Sequence, residues 1–328
     1  MKGSAVALYL SEDDVKQVLT MPLALEAVEA AHRELSREGG LVAQDTPRAR
    51  TRLPQTALHL LHGGLPGMGI LGFKAYTSNR SGNRFNVYVF DAASGELRGV
   101  VGADFLGMMR TGAASGVAAK WLARPESEVA GVFGSGWQAE GHVEAICTAL
   151  PLRRVKVFAR NQDKLAAFCA RLGERLPQVE IVASPSAEET VRGSDLVGTV
   201  TTAAAPLFEA EWLAPGTHIN AAGSNALIRQ ELSEAAVRKC ELVVVDTVET
   251  ALKEAGDLLP LLEKGRLQVR QLVELGDIVA GRRPGRASPA QITLFESQGL
   301  AVQDLALAAR VLDLAREKGL GVELPFGS

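Results

Sequence analysis

The sequence predicts an α/β protein with a doubly wound parallel sheet in the middle of the chain and a second, α+β domain drawn from both ends. Three observations predict it. After Pro125, short apolar runs alternate with helix-spaced patterns, and strands that run in one direction need such crossovers to form a parallel sheet. Before it, residues 51–101 read as short β-prone runs broken by Gly and Pro, the texture of an antiparallel sheet. The last helix pattern, 303–318, has no strand after it, so it is expected to return to the first domain.

Each element has a local reason. Ser11 followed by Asp14 resembles a capping box, and residues 12–38 keep helical spacing until Gly39 and Gly40 stop them. Phe85, Val87 and Val89 alternate ahead of a turn at Ser94 and Gly95. Residues 110–123 form a small-residue helix pattern suited to close packing. Strands are then expected at 129–133, 155–158, 179–182, 196–200, 218–221 and 242–245, six in all, with helices at 137–150 and 163–176 between the first three. The domain reading is 1–120 with 303–328 for the split domain and 121–302 for the central one. The Pro/Gly/Arg-rich stretch 281–286 reads as a short loop.

The bulk composition fits this division and excludes other classes. The chain has 328 residues, 47% hydrophobic and 22% charged, with net charge -3, enough apolar content for about two folded domains and against disorder. No apolar run approaches the roughly 18 residues a membrane span needs, so no membrane partner is expected. A slightly acidic chain without a basic run does not attract phosphate backbones, so neither is nucleic acid. The apolar run 5–10 meets Glu12, Asp13 and Asp14 at once and lacks a small-residue cleavage site, which reads as a cytoplasmic protein. Cys147, Cys169 and Cys240 are odd in number and widely spaced, so they read as buried thiols, and no metal is expected.

The sharpest local signal is Gly134, Ser135, Gly136, Trp137 and Gln138, directly after one expected strand and opening a helix pattern. Glycines there let the backbone approach a pyrophosphate, and the free amides of the helix N-terminus favour its charge. With a second strand ending at Phe158 where a dinucleotide fold places it, the central domain is expected to be Rossmann-type. NAD sites carry Asp or Glu at that strand end; this chain reads Ala159, Arg160, Asn161. A guanidinium at Arg160 suits a ribose 2'-phosphate, so NADP(H) is favoured over NAD(H), with Arg160 and Asn161 as the contacts.

The segments Gly72-Phe73-Lys74, Arg110-Thr111-Gly112-Ala113-Ala114-Ser115, the glycine loop to Ala139, Ile219-Asn220-Ala221-Ala222-Gly223-Ser224 and Thr293-Leu294-Phe295-Glu296-Ser297-Gln298-Gly299 together resemble the ornithine cyclodeaminase/mu-crystallin family, almost end to end. The resemblance implies a dinucleotide-binding domain, a second domain that forms a homodimer, and a small α-imino, α-keto or α-amino acid as substrate, with an amine as an optional co-substrate. Its members include cyclodeaminases, ketimine reductases, amino-acid dehydrogenases and a thyroid-hormone-binding crystallin, and the fold does not choose among them.

By the same resemblance, Lys74 is the catalytic lysine, and its apolar, glycine-rich neighbourhood would depress its pKa toward neutrality. Arg48 and Arg110 match positions that contact substrate carboxylate and cofactor. Thr201, Asn220, Ala221, Ala222, Gly223 and Ser297 match cofactor positions, and Gln298 faces the substrate. Asn225 stands where cyclodeaminases have an aspartate, and His59 where they have a glutamate, so both read as substrate-side residues that remove proton acceptors. Asp304, Glu254 and Asp257 also match recurrent family positions and read as helix-end and interdomain contacts rather than catalysts. These features favour an NAD(P)H-dependent imine or ketimine reductase or amino-acid dehydrogenase over two alternatives, an ornithine cyclodeaminase and a non-catalytic NADP-dependent binder.

Overall fold

The computed structural model describes residues 6–37 and 42–325 and divides into two compact units, Met1–Arg110 with Gly299–Ser328, and Thr111–Gln298. The divisions fall at 110/111, inside the helix Asp104–Leu122, and at 298/299, where the sequence reading set them at 120/121 and 302/303.

The first unit is a seven-stranded sheet backed by helices. Its strands are β1 (Val6–Leu10), β2 (Gln44–Arg52), β3 (Ala57–Leu65), β4 (Ile70–Asn79), β5 (Gly82–Asp91), β6 (Leu97–Gly102) and the C-terminal strand Val322–Pro325. From one edge the order is C-terminal strand, β1, β6, β5, β4, β3, β2, antiparallel except for β1 beside β6. The helix Ala301–Glu317 lies against β3, β4 and β5 and against the helix Met21–Leu35. It is buried along most of its length, with Val302, Leu305 and Leu312 fully enclosed. Gly72 permits the close approach: a Cβ there would collide with the Tyr88 carbonyl and the Leu305 side chain.

The capping box at Ser11 and Asp14 is present, with Ser11 N donating to Asp14 Oδ2 at 2.9 Å. The helical stretch that follows is two helices, Glu12–Val18 and Met21–Leu35, because the second starts afresh at Thr20 with Pro22 in its first turn. The expected stop at Gly39 and Gly40 lies outside the described residues.

The second unit is an eight-stranded sheet in which every neighbouring pair is parallel: β7 (Val129–Phe133), β8 (Arg154–Phe158), β9 (Glu180–Ala183), β10 (Leu196–Thr199), β11 (His218–Ala221), β12 (Leu242–Val245), β13 (Leu272–Glu274) and β14 (Thr293–Glu296), in the order β13-β12-β14-β11-β10-β7-β8-β9. This is the doubly wound fold expected, with two strands more than the six foreseen. Its two apolar cores centre on Phe133, Phe208 and Leu294, and on Val155, Leu165 and Phe168. Strand order reverses between β7 and β10, the switch point at whose carboxyl edge such sheets bind ligands.

Candidate active site

In the first unit the chemistry gathers around Asp304. Lys74 sits in mid-β4 on the same face as Gly72 and Tyr76. Its Nζ lies 3.0 Å from Asp304 Oδ1, in the first turn of the helix Ala301–Glu317. Arg110 Nε donates to the same oxygen at 3.0 Å, and Arg110 Nη1 donates to Gln303 Oε1 at 3.2 Å. The Gln303 amide nitrogen in turn lies 3.0 Å from His32 Nε2. Lys74 is 3% exposed, Arg110 8% and Asp304 0%, so the three charges meet with little water between them. Asp304 Oδ2 is buried and has no hydrogen-bond partner among the described residues, leaving an acceptor inside the cluster.

Two cations against one carboxylate leave the cluster with an excess positive charge, which suits a carboxylate ligand. Burial is the largest influence on the Lys74 amine and drives its pKa down from 10.5 to about 8. Asp304 opposes that fall by charge and by hydrogen bond, while Arg110 and Arg48 add to it. An amine tuned this way can give up or accept a proton near neutral pH. The Phe85 ring lies 5.1 Å from Nζ and lends the ammonium a weak additional partner.

His59 shares this face of the sheet, opposite Tyr76 across the β3–β4 ladder. It stacks on Tyr76 at 4.2 Å with the planes 4° apart, and its Nε2 lies 2.9 Å from Ser78 Oγ. Burial, followed by Arg48, Arg50 and Arg52, pushes its pKa down to about 4, so the imidazole is neutral at physiological pH. Arg48 is half-buried on β2. The first unit thus brings together Arg48, His59, Lys74 and Arg110.

In the second unit the expected dinucleotide residues line up along the carboxyl edge of the sheet. Gly134 follows β7 with φ +117°, a conformation that disfavours a side chain, and a Cβ there would stand 2.5 Å from the Val200 carbonyl oxygen. Its N–H donates to Phe158 O at 2.9 Å and ties the loop to β8. Gly136 is the extended N-cap of the helix Trp137–Ala149, no side chain caps that end, and the space where a Cβ would sit on Gly136 is open. Ser135 is half-buried, and Trp137 and Gln138 are exposed. Uncapped first-turn amides with clear approach form a cradle for a phosphate. Arg160 is exposed just beyond β8, whereas Asn161 is spent on capping the next helix, its Oδ1 accepting from Lys164 N at 2.9 Å.

The other expected contacts are held by buried acids that sequence reasoning did not single out. Thr201 N and Oγ1 both donate to Glu231 Oε1 at 2.6 Å, and Gly223 N donates to Glu231 Oε2 at 2.8 Å. Burial raises the Glu231 carboxyl above its ordinary value against those hydrogen bonds. Ser297 Oγ and Gln298 N donate to Asp246 Oδ2 at 2.9 and 2.8 Å. Ser224 donates to the fully buried Glu296, whose pKa rises well above normal through burial, then Asp257, with Glu231 and Asp246 adding to it. Asn220 is an internal brace: Nδ2 donates to Ser115 O at 3.1 Å and Oδ1 lies 3.0 Å from His218 Nε2. Ala221 is buried and Ala222 half-buried at the end of β11. Asn225 accepts a long 3.4 Å contact from Arg229. No group of three or more His, Cys, Asp or Glu among the described residues could hold a metal ion, and all three cysteines are free.

Asp304 corrects the sequence reading most clearly. It matches a recurrent family position and is not merely a helix-end contact but the shared counter-ion of Lys74 and Arg110.

The model of the ornithine cyclodeaminase/mu-crystallin family matches residues 6–319. A Delta(1)-pyrroline-2-carboxylate reductase of Bacillus cereus is 31% identical over 97% of this chain and 100% of its own. Among solved structures, the Thermococcus litoralis Delta(1)-pyrroline-2-carboxylate reductase in complex with NADH and L-proline has a TM-score of 0.90 at 30% identity, covering 97% of this chain and 100% of that one. An archaeal alanine dehydrogenase dimer with bound NAD also has a TM-score of 0.90, at 31% identity, covering 98% and 100%. This chain belongs to the ornithine cyclodeaminase/mu-crystallin family.

Proposed function

We propose that the protein is an NAD(P)H-dependent oxidoreductase that reduces an α-imino acid to the α-amino acid and catalyses the reverse oxidation. The observation that carries this reading is the buried Lys74 amine, held between Asp304 and Arg110 and tuned to about pH 8. The glycine cradle, with φ +117° at Gly134 and an uncapped helix end after Gly136, fits a dinucleotide. When bound, that cofactor supplies or accepts the hydride. Lys74 delivers a proton to the substrate nitrogen in reduction and takes it back in oxidation. Arg110, its guanidinium fixed by Asp304 and Gln303, binds the α-carboxylate, with Arg48 assisting. Asn220 to Gly223, Thr201 and Ser297 position the nicotinamide end, braced by Glu231 and Asp246.

The relatives point the same way, one being named a pyrroline-carboxylate reductase and another an alanine dehydrogenase. Ornithine cyclodeamination is less well supported. A neutral His59 among three arginines offers no anchor to a second ammonium, and Asn225 cannot take a proton as a carboxylate does. The reading is tested by oxidation of NADH and NADPH in the presence of cyclic ketimine carboxylates, or of α-keto acids with ammonia. Turnover is expected; conversion of ornithine to proline and ammonia with no net change in cofactor would overturn it.

The cofactor class is a nicotinamide dinucleotide, and we assign a preference for NADP(H) to Arg160, which stands exposed at the end of β8 where an acid would otherwise hold the ribose. Arg160→Ala should weaken NADPH about tenfold, the worth of one charge-assisted pair, with little effect on NADH. Fluorescence titration reads both, and tighter NADH binding by the unaltered protein would reject the assignment.

Homodimerisation is supported by the sheet face opposite Lys74. There Leu58 and Leu71 are 46% and 44% exposed beside Phe90 and the stacked pair Phe73 and Tyr88, with ring centroids 4.5 Å apart. An apolar sheet face of this kind calls for a cover, and a second copy supplies one, as in the dimeric relative. Light scattering should report twice the mass of one chain, and a monomer at micromolar concentration would refute the dimer. The three free thiols suit a cytoplasmic, reducing setting, and among the described residues no helix is long and apolar enough to cross a membrane.

A further inference from the structure

The helix Met21–Leu35 packs against the helix Ala301–Glu317 along a buried seam. Ala24, Val28 and His32 follow one another at i, i+4 spacing and so lie in one row, and all three are fully buried. The row is apolar until its last member. An imidazole enclosed at the end of such a seam costs free energy unless its polar atoms are engaged. His32 Nε2 meets the Gln303 amide nitrogen at 3.0 Å, in the first turn of the opposing helix.

The orientation of that amide is set from its other end. Gln303 Oε1 accepts from Leu300 N at 3.3 Å and from Arg110 Nη1 at 3.2 Å. Both partners are donors, so the oxygen faces them and the nitrogen faces His32. An amide nitrogen only donates, which makes His32 Nε2 the acceptor and puts the ring proton on Nδ1. Turned over, the amide would set donors against donors at Arg110 and Leu300, and its oxygen against the Nε2 lone pair. Two further contacts hold the same guanidinium. Asp304 Oδ1 accepts from Arg110 Nε at 3.0 Å, and the backbone of Gly299, with φ +81°, comes so near that a Cβ there would collide with Nη1. Among the described residues the hydrogen bonds of Arg110 use Nε and Nη1, which leaves Nη2 for a ligand. Every residue of this chain of contacts belongs to the first unit.

We propose that His32 is a positioning residue for the substrate carboxylate: through Gln303 it fixes the Arg110 guanidinium in the orientation from which Nη2 pairs with the α-carboxylate of the imino acid. This rests on the reductase reading above, in which Arg110 binds that carboxylate. Asp304 cannot set the fork alone, because it is a one-point contact at Nε and is shared with Lys74, so the guanidinium plane could still swing about it. Gln303 supplies the second point, and the imidazole acceptor keeps Gln303 in place. A histidine that only filled space would serve equally well with either ring nitrogen toward the helix, and its replacement would register in stability alone.

The test pairs His32→Phe, which keeps a ring and removes the acceptor, with His32→Gln, whose side-chain oxygen can stand about where Nε2 does. Three quantities are read in the full-length protein and both variants: KM and kcat for reduction by NADH of Delta(1)-pyrroline-2-carboxylate and of pyruvate with ammonia, the calorimetric Kd of pyrrole-2-carboxylate, and the Kd of NADH. His32→Phe should raise KM and the pyrrole-2-carboxylate Kd about 3- to 10-fold, the worth of one hydrogen bond, with kcat and NADH binding little changed. His32→Gln should recover most of the loss. A lower thermal midpoint with both constants unmoved in His32→Phe, or an equal rise in His32→Gln, overturns the proposal. Nitrogen-15 NMR of the unaltered protein at about pH 7, with the His32 signals assigned by their loss in either variant, gives an answer even if the phenylalanine variant fails to fold. A ring proton on Nδ1 is expected, and one on Nε2, or on both nitrogens, overturns the assignment. Carboxylate binding that depends on His32 without turnover of either substrate overturns the reductase reading alone; absence of both turnover and carboxylate binding in the unaltered protein overturns both.

Discussion

Lys74→Met is expected to lower kcat for imine reduction by about 10²- to 10⁴-fold, the contribution of a positioned proton donor, while dinucleotide binding is retained. Methionine preserves the length and apolar stem of the side chain, so the substitution removes the ammonium with little change of volume. Asp304 keeps Arg110 as its partner at 3.0 Å, so no carboxylate is stranded in the core of the first unit. The glycine cradle belongs to the second unit and shares no residue with the Lys74 cluster. Fluorescence titration with NADH, beside turnover, separates the two effects. Near-normal kcat in the variant would remove Lys74 from the chemistry.

Asp304→Asn should have the second large effect, in two readouts of different origin. The change removes the fully buried carboxylate that the two cations share, and breaking such a pair costs about 3–5 kcal/mol. A lower midpoint of thermal unfolding measures that. The chemical effect follows from sign. Asp304 raises the Lys74 pKa by charge and hydrogen bond, whereas burial, Arg110 and Arg48 lower it. Without the carboxylate the amine sheds its proton at lower pH, so the loss of reductive kcat with rising pH must begin earlier than in the unaltered protein. A variant that is destabilised but keeps the original pH profile would make Asp304 a structural residue only.

Much of the fold was legible because the middle of the chain obeys local rules. Apolar runs alternating with helical spacing located β7 to β12 to within a residue or so, since a buried parallel strand needs a continuous apolar run wherever it sits in the sheet. Strand order is a different kind of information. β14 enters between β11 and β12, and β13 closes the edge, because of pairings that no local pattern specifies. β1 was missed because its five residues gain their reason to be a strand from β6 and the C-terminal strand, both far away in sequence. The break between the first two helices was readable at Pro22 and was overridden by the apolar spacing on either side of it.

The candidate site divides along the same line. Lys74, Arg110 and the glycine loop stood out because their neighbours form recognisable segments. Asp304 also matches a recurrent family position but reads as a helix-end contact, since an acid in the first turn of a helix already has a sufficient local explanation in the helix dipole. Only its approach to Lys74, 230 residues away, gives it another. Glu231 and Asp246 were hidden for a similar reason: they act by holding Thr201, Gly223 and Ser297, and their neighbours in sequence carry no signal of that.

The central claim is that a buried lysine with a pKa of about 8 is the proton donor of an imine reductase. The most direct measurement is kcat for reduction, at saturating imino acid and cofactor, between about pH 6 and 10, because kcat titrates the groups of the enzyme–substrate complex. A plateau at low pH and a fall through about pH 8 are expected, the fall displaced to lower pH in Asp304→Asn. A kcat that stays constant across the range, or a fall that does not move in that variant, would contradict it.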